Sequence, residues 1–412
     1  MTAEATDVLI VGAGPYGLSL AAQLRHRGVD TRIVGRPMKF WRDMPVNMNL
    51  KSLAFATNIY VPQAGHTFPE WCRKQGLEDF EPCTMESFAA YGMQMQERFL
   101  PDLDDDHVTR VSTTPRGFHA ALEGGRSITA RRVVLATGLS YLARMPDVVR
   151  GLPPELATHS SHHTDYSRFK DKHVAIIGGG ASAIEAGAFV QEAGGSADVL
   201  VRQSRVVFHD RTPRDRPLMD RIREPMTVLG AGRKHWVLQH FPAALYFLPE
   251  SVRTGFVQRY LGPSSPWWIK DRVLGKVPLH VSSHVVAAEP VGGRVRLTVR
   301  TGDGGDRVLD ADHVIAGTGF DSDMSRLPYL DQTLVGHVRR TLRAPRLSMK
   351  FETSVKGLHV IGPMSAMSFG PLFRFVAGAE FTVQSLADHL GGPLARAQNV
   401  ARRLATTVVR RA

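Results

Sequence analysis

Two glycine fingerprints, each set between an apolar strand and a run of helical periodicity, predict an α/β chain with two dinucleotide-binding (Rossmann-like) domains. Two further apolar strands end in Ala-Thr-Gly and Gly-Thr-Gly, so that fingerprint and short turn alternate twice along the chain. A length of 412 residues suits two or three domains with large cores.

The first fingerprint lies in VLIVGAGPYGLSLAAQLRHRG, residues 8–28. Val8 to Val11 read as a strand, the turn carries Gly12, Gly14, Pro15 and Gly17, and Leu18, Ala21, Ala22 and Leu24 share one helix face. Gly12 permits a sharp turn, Gly14 lets the backbone approach a pyrophosphate, and Gly17 lets helix and strand pack closely. The phosphates then meet the orphan N–H groups at the positive end of the helix. The next strand, TRIVGRPM, should end in an acid that holds ribose hydroxyls, but Gly35-Arg36 stands there. Arg36 is instead the candidate to stack on adenine or meet a phosphate. After strand-like, turn-rich sequence comes RRVVLATGLS, a strand closing on Thr137-Gly138.

The second fingerprint, in HVAIIGGGASAIEAGAFVQEAGGSADVLVRQ, uses Gly178, Gly180, Ser182 and Ala183. No acid follows its next strand, ADVLVRQSRV, where Arg202 and Arg205 stand instead, and a guanidinium suits a 2′-phosphate that an acid would repel. The expected nucleotide is NADPH rather than NADH. Residues 209–280 are charged and proline-bearing, then aromatic and helical. They read either as extra packing or as a subdomain lining a substrate site. DHVIAGTGFDS, residues 312–322, is the last of the four strands and turns at Gly319. GLHVIGPMSAMSFGPLFRFVAGAEF gives a strand from Leu358 to Ile361, a glycine turn, and a helix expected from about Pro371.

Bulk properties exclude several classes. No run of 18 apolar residues exists, so no membrane span is expected, and the opening MTAEATD has no signal-peptide character, which makes cytoplasmic location the default. The formal charge of +12 comes mostly from scattered arginines, densest in ARAQNVARRLATTVVRRA, which reads as a solvated helix face rather than a nucleic-acid surface. His159, His162 and His163 cluster before the second fingerprint without carboxylates or cysteines at ligand spacing, so they read as a hinge and no metal is expected. Cys72 and Cys83 form no C-x-x-C, so a redox dithiol of the usual spacing is absent.

The order of the four glycine-ended strands resembles the two-dinucleotide-binding-domain flavoproteins. That resemblance implies an FAD domain split into residues 1–150 and 312–412, with an NADPH domain inserted at 151–311. It also assigns Gly362, Gly370, Pro371 and Leu372 to the flavin, with a helix N-terminus facing its N1/C2 end. Within that group, residues 40–77 resemble the single-component NADPH-dependent flavin monooxygenases. Met48-Asn49, Leu50-Lys51-Ser52-Leu53, Pro62, Thr67-Phe68 and Gly76 follow the order seen in microbial ornithine and lysine N-hydroxylases, with Ser52 replacing an aspartate. The resemblance places Trp41, Met48 and Asn49 by the flavin and gives Lys51 to the substrate. A competing register, that of flavin-containing monooxygenases, makes Thr57-Asn58 the pair beside the flavin peroxide. In either register NADPH reduces FAD, O₂ adds to form a C4a-hydroperoxide, and a small-molecule substrate, foremost an amine nitrogen, takes the distal oxygen. The alternatives are ring-carbon or Baeyer–Villiger oxygenation on the same scaffold, or a reductase serving an electron-transfer partner. Dimers or tetramers are usual for the resembled family.

Overall fold

The computed structural model describes residues 4–392, so the basic stretch at 395–412 lies outside the described residues. The first sheet is built on β1 (Glu4–Val11), whose Val8, Leu9 and Ile10 are fully buried. Burial on both faces suits a parallel strand covered by helices. On one side β1 pairs in parallel with β2 (Thr31–Val34), joined by the helix Pro15–His26. A meander of β3 (Val108–Thr114), β4 (Gly117–Leu122) and β5 (Ser127–Leu135) then returns to the other side. β4 alternates buried and half-exposed residues, the pattern of a strand with one face packed. β5 pairs in parallel with β1 from Glu4↔Ile128 to Val11↔Leu135. Its other edge is shared. The N-terminal half takes β4 antiparallel, and Val133 to Leu135 take the strand Leu358–Val360 in parallel. The C-terminal segment thus closes the sheet that the N-terminus opens.

A second, fully parallel sheet is formed by β6 (Ala157–His159), β7 (His173–Ile177), β8 (Ser196–Leu200) and β9 (Leu279–His280). The antiparallel strands β10 (His284–Val291), β11 (Arg294–Arg300) and β12 (Asp306–Ala311) follow, and β13 (His313–Ala316) then inserts between β6 and β7. The expected boundary at 312 therefore falls too early. His313 to Ala316 are buried in the second sheet, and the chain leaves it only after Ala316.

Residues 209–280 hold the helices Leu218–Arg223, Arg233–His240 and Glu250–Arg259, linked by loops and short 3₁₀ turns. The C-terminal helix begins at Ala379, not near Pro371. Pro371–Arg374 and Val376–Gly378 are 3₁₀ turns, separated by Phe375 in extended backbone. The Phe375 carbonyl accepts from the Tyr16 hydroxyl at 2.8 Å and from the Gly378 N–H at 3.2 Å, an i→i+3 bond, so this stretch winds as 3₁₀ turns before the α-helix starts. Among the described residues no helix is long and apolar enough to cross a membrane.

Candidate dinucleotide sites and the cavity between the sheets

Both fingerprint turns are glycine-dependent for steric reasons. Gly12 has φ +112°, and a Cβ on it would stand 2.6 Å from the Ala136 carbonyl oxygen. A Cβ on Gly17 would stand 2.0 Å from the Gly12 carbonyl oxygen, so helix and turn touch there. Gly14, the residue before the helix, has open space around it, and no side chain caps the helix whose first turn begins at Pro15. An uncapped positive helix end behind an open glycine suits a pyrophosphate. Thr137 and Gly138 lie beside this turn, with the Thr137 hydroxyl 2.9 Å from that of Tyr329.

The second turn repeats the logic. Gly178 has φ +144°, and its Cβ would meet the Gly317 carbonyl oxygen at 2.4 Å. Gly317 would in turn crowd the Ala183 methyl at 2.5 Å. Gly180 again precedes an uncapped helix, Ala181–Glu192.

A cavity of about 1280 Å³ runs from this second turn to the first domain. Gly178, Gly180, Ser182, Arg202, Gly319 and Lys51 all line it. Arg205 is exposed and does not. The 209–280 segment supplies part of the wall through His209, Trp267 and Trp268.

Lys51 reaches across the domains. Its Nζ lies 3.8 Å from Glu185 Oε2 and donates to Ser182 Oγ at 3.4 Å. Glu185 is fully buried, and neither carboxylate oxygen has a hydrogen-bond partner. Burial pushes its carboxyl up, and Lys51 pulls it part of the way back. An acid within the apolar run Ala-Ile-Glu-Ala-Gly-Ala-Phe-Val was a legible signal that sequence reading passed over. A charge on so buried a carboxylate is costly without a cation, and Lys51 is the cation beside it.

Several expected residues stand elsewhere. Asn58 does not line the cavity: its amide donates to the Phe55 carbonyl at 3.0 Å, and its Oδ1 accepts from the Phe68 N–H at 2.8 Å. Asn58 thus ties the 3₁₀ turn Ala54–Ala56 to the start of the helix Phe68–Lys74. Trp41 packs edge-on against Phe88, Met48 is buried, and Asn49 bridges to Thr84. Gly362 and Tyr16 meet face to ring, Leu372 is buried, and a Cβ on Gly370 would stand 2.7 Å from Leu245 of the inserted segment. Arg36 is half-exposed, 3.9 Å from Glu123. The acid missing from β2 has a neighbour that sequence reading did not find: Asp104 bridges to Val34, and its backbone carbonyl accepts from Gly35 N–H at 3.0 Å.

The cysteines meet in space. Although separated in sequence, Cys72 and Cys83 place their sulfurs 3.7 Å apart. They are buried, they lie outside the cavity wall, and burial pushes the Cys72 thiol up to about 12 and that of Cys83 upward too. Protonated, enclosed thiols are poor nucleophiles.

His159, His163 and His313 are buried and hydrogen-bonded. Thr158 Oγ1 lies 2.7 Å from both His163 Nε2 and His313 Nε2, and His159 Nε2 lies 3.0 Å from the Gly319 carbonyl oxygen. No cluster of metal-ligating side chains occurs among the described residues.

Residues 9–227 match the family described as pyridine nucleotide-disulphide oxidoreductase, more than half of the chain. The chain belongs to that family. Its fold is shared with solved hydroxylases. It is similar to the reduced form of ornithine hydroxylase from Pseudomonas aeruginosa (TM-score 0.74, 18% identity, 94% of this chain and 99% of that one). It is also similar to an ornithine N-hydroxylase of Kutzneria sp. 744 (TM-score 0.72, 18% identity, 94% and 99%). These likenesses are of fold. In sequence it is 27% identical over 215 residues to the FAD-dependent urate hydroxylase of Xanthomonas campestris pv. campestris, covering 48% of this chain and 45% of that one. It is 21% identical over 364 residues to a ferredoxin–NADP reductase of Ignicoccus hospitalis, covering 87% and 90%. The matched stretch spans less than half of the hydroxylase.

Proposed function

We propose that the protein is an FAD- and NADPH-dependent monooxygenase that oxygenates a small molecule, with an amine nitrogen as the leading acceptor. The observation that carries this reading is a large cavity set against the second fingerprint and reaching the first domain through Lys51, with no cysteine in its wall. Dithiol exchange has no exposed thiol to use there. FAD fits the first turn, where the open face of Gly14 and the uncapped helix end would receive its pyrophosphate. When bound, it supplies two-electron transfer from the nicotinamide and reaction with O₂. The chain's own task is to bind, orient and keep water out, through the Lys51–Glu185 bridge and the aromatic wall of the inserted segment. The fold of the ornithine hydroxylases and the partial likeness to a urate hydroxylase support the same reading.

The test is rapid mixing of the NADPH-reduced protein with O₂ while following flavin absorbance. A species distinct from the reduced and oxidised spectra, persisting for seconds, is expected. Direct return to the oxidised spectrum with matching H₂O₂ release would favour the reductase reading, which the likeness to a ferredoxin–NADP reductase also represents.

Arg202 selects the nucleotide in this reading. It is exposed at the cavity wall, follows β8, and has no carboxylate within ion-pair distance among the described residues. Arg202→Ala is expected to weaken NADPH by about tenfold or more and leave NADH nearly unchanged, since charge-assisted bonds to a phosphate contribute roughly 1.5–3 kcal/mol. Steady-state kinetics with both nucleotides decide it; an equal loss for both refutes the role.

A further inference from the structure

Seven cations line the cavity, and five are matched by acids. Lys51 has Glu185, Arg144 has Asp321 at 4.0 Å, and Arg150 has Asp147 at 2.6 Å. Arg211 pairs with Glu81, and Arg343 lies 3.8 Å from Asp323. Among the described residues, Arg202 and Arg374 have no acid. Arg202 is accounted for by the nucleotide phosphate. Arg374 remains.

Its setting is that of a held binding group. Arg374 closes the 3₁₀ turn Pro371–Arg374, between the buried Phe373 and the exposed Phe375. One Nη2 donates to the Tyr260 carbonyl at 2.6 Å, which ties the C-terminal segment to the inserted one. Its Nε is buried and has no acceptor. In the same wall, the Trp268 Nε1 is likewise a buried donor without a partner. Burial lowers the guanidinium pKa, and no carboxylate offsets that effect. A half-buried cation without a counter-charge is expensive unless a ligand supplies one. Lys51, the residue that the resemblance gave to the substrate, is engaged with Glu185 and cannot serve a second acid without releasing it.

We infer that the substrate is an organic acid whose carboxylate pairs with Arg374, the aromatic wall of Trp267 and Phe375 taking its apolar part. The inference rests on the cavity's being the substrate site of the proposed monooxygenase, and it names the class of molecule that enters.

The test is binding to the oxidised holoenzyme with NADP⁺ present, so that Arg202 is occupied and no turnover is needed. Matched pairs of benzoate and benzamide, and of phenylacetate and phenylacetamide, are titrated against the flavin absorbance. Each acid is expected to bind about tenfold or more tighter than its amide, the strength of a charge-assisted pair. Arg374→Gln should bring that ratio close to one, and Arg374→Lys, which keeps the cation, should restore part of it. Equal binding of acid and amide, or no saturable change with either acid up to tens of millimolar, overturns the assignment. So does an acid preference that survives Arg374→Gln. If both variants lose flavin, Arg374 serves structure through Tyr260 and the assignment fails. Because no O₂ chemistry enters, direct reoxidation in the mixing experiment would sink the monooxygenase reading while leaving an acid preference intact.

Discussion

Gly17→Ala strips the protein of flavin and lowers its stability by about 3 kcal/mol, whereas Gly14→Ala removes flavin and leaves the fold standing. The difference comes from the surroundings of each new methyl. At Gly17 it would sit 2.0 Å from the Gly12 carbonyl oxygen, with the Ala136 methyl at 3.5 Å behind it. Backbone on the facing side cannot rotate away as a side chain can, so the turn and the helix Pro15–His26 must separate. Gly14 has φ −85° and ψ −174°, a conformation open to any residue, and nothing lies within 4 Å. A methyl there costs the fold little and intrudes only on what approaches the helix end. Flavin-to-protein ratio and denaturant midpoint, measured on both variants, separate the two effects. Equal destabilisation at the two positions would show that the turn is not built as described.

The second large effect is loss of stability in acid. Burial holds His159 and His313 at about 4 and His163 at about 3, against an ordinary value of 6.5. Since all three are depressed, the folded protein keeps these rings neutral while the unfolded chain protonates them below about pH 6.5. The unfolded state therefore binds more protons, and stability falls as the pH drops from about 6.5 towards 4. Each ring contributes a slope of about 1.4 kcal/mol per pH unit once that window is fully entered. Together they approach the whole stability of a typical domain by about pH 4. Denaturant melts at pH 7, 6 and 5 should show the decline. His163→Gln, which keeps a partner for Thr158 but removes that ring's titration, should make the slope shallower. A flat profile between pH 7 and 5 would show that these rings are not held neutral.

Local rules made the two turns legible from sequence. Gly12, Gly17 and Gly178 are required by contacts with backbone close by or one strand away, and such contacts follow from the strand–turn–helix pattern itself. The same holds for the meander before Thr137-Gly138, for the helical insert, and for the lack of an acid after β8. These features determined the fold class, the two nucleotide turns and the place of Arg202.

Tertiary structure alone decided what depends on pairing between distant segments. Strand β13 joins the second sheet because its apolar residues find partners on β6 and β7, and no local pattern marks that choice. Cys72, on the helix Phe68–Lys74, and Cys83, whose carbonyl accepts from the Leu50 N–H, meet only through the packing of these segments. Asn58 looked like a flavin-side carboxamide, and its two ends are consumed by backbone groups at Phe55 and Phe68. Lys51 looked like a substrate group, and Glu185, far along the chain and buried, claims it. Arg374 stood unnoticed in a run expected to be helix. Whether a cation is free or matched is a property of the charges that surround it in space. Sequence shows which charges exist, and only the packing of the two sheets and the insert shows which of them remain unpaired.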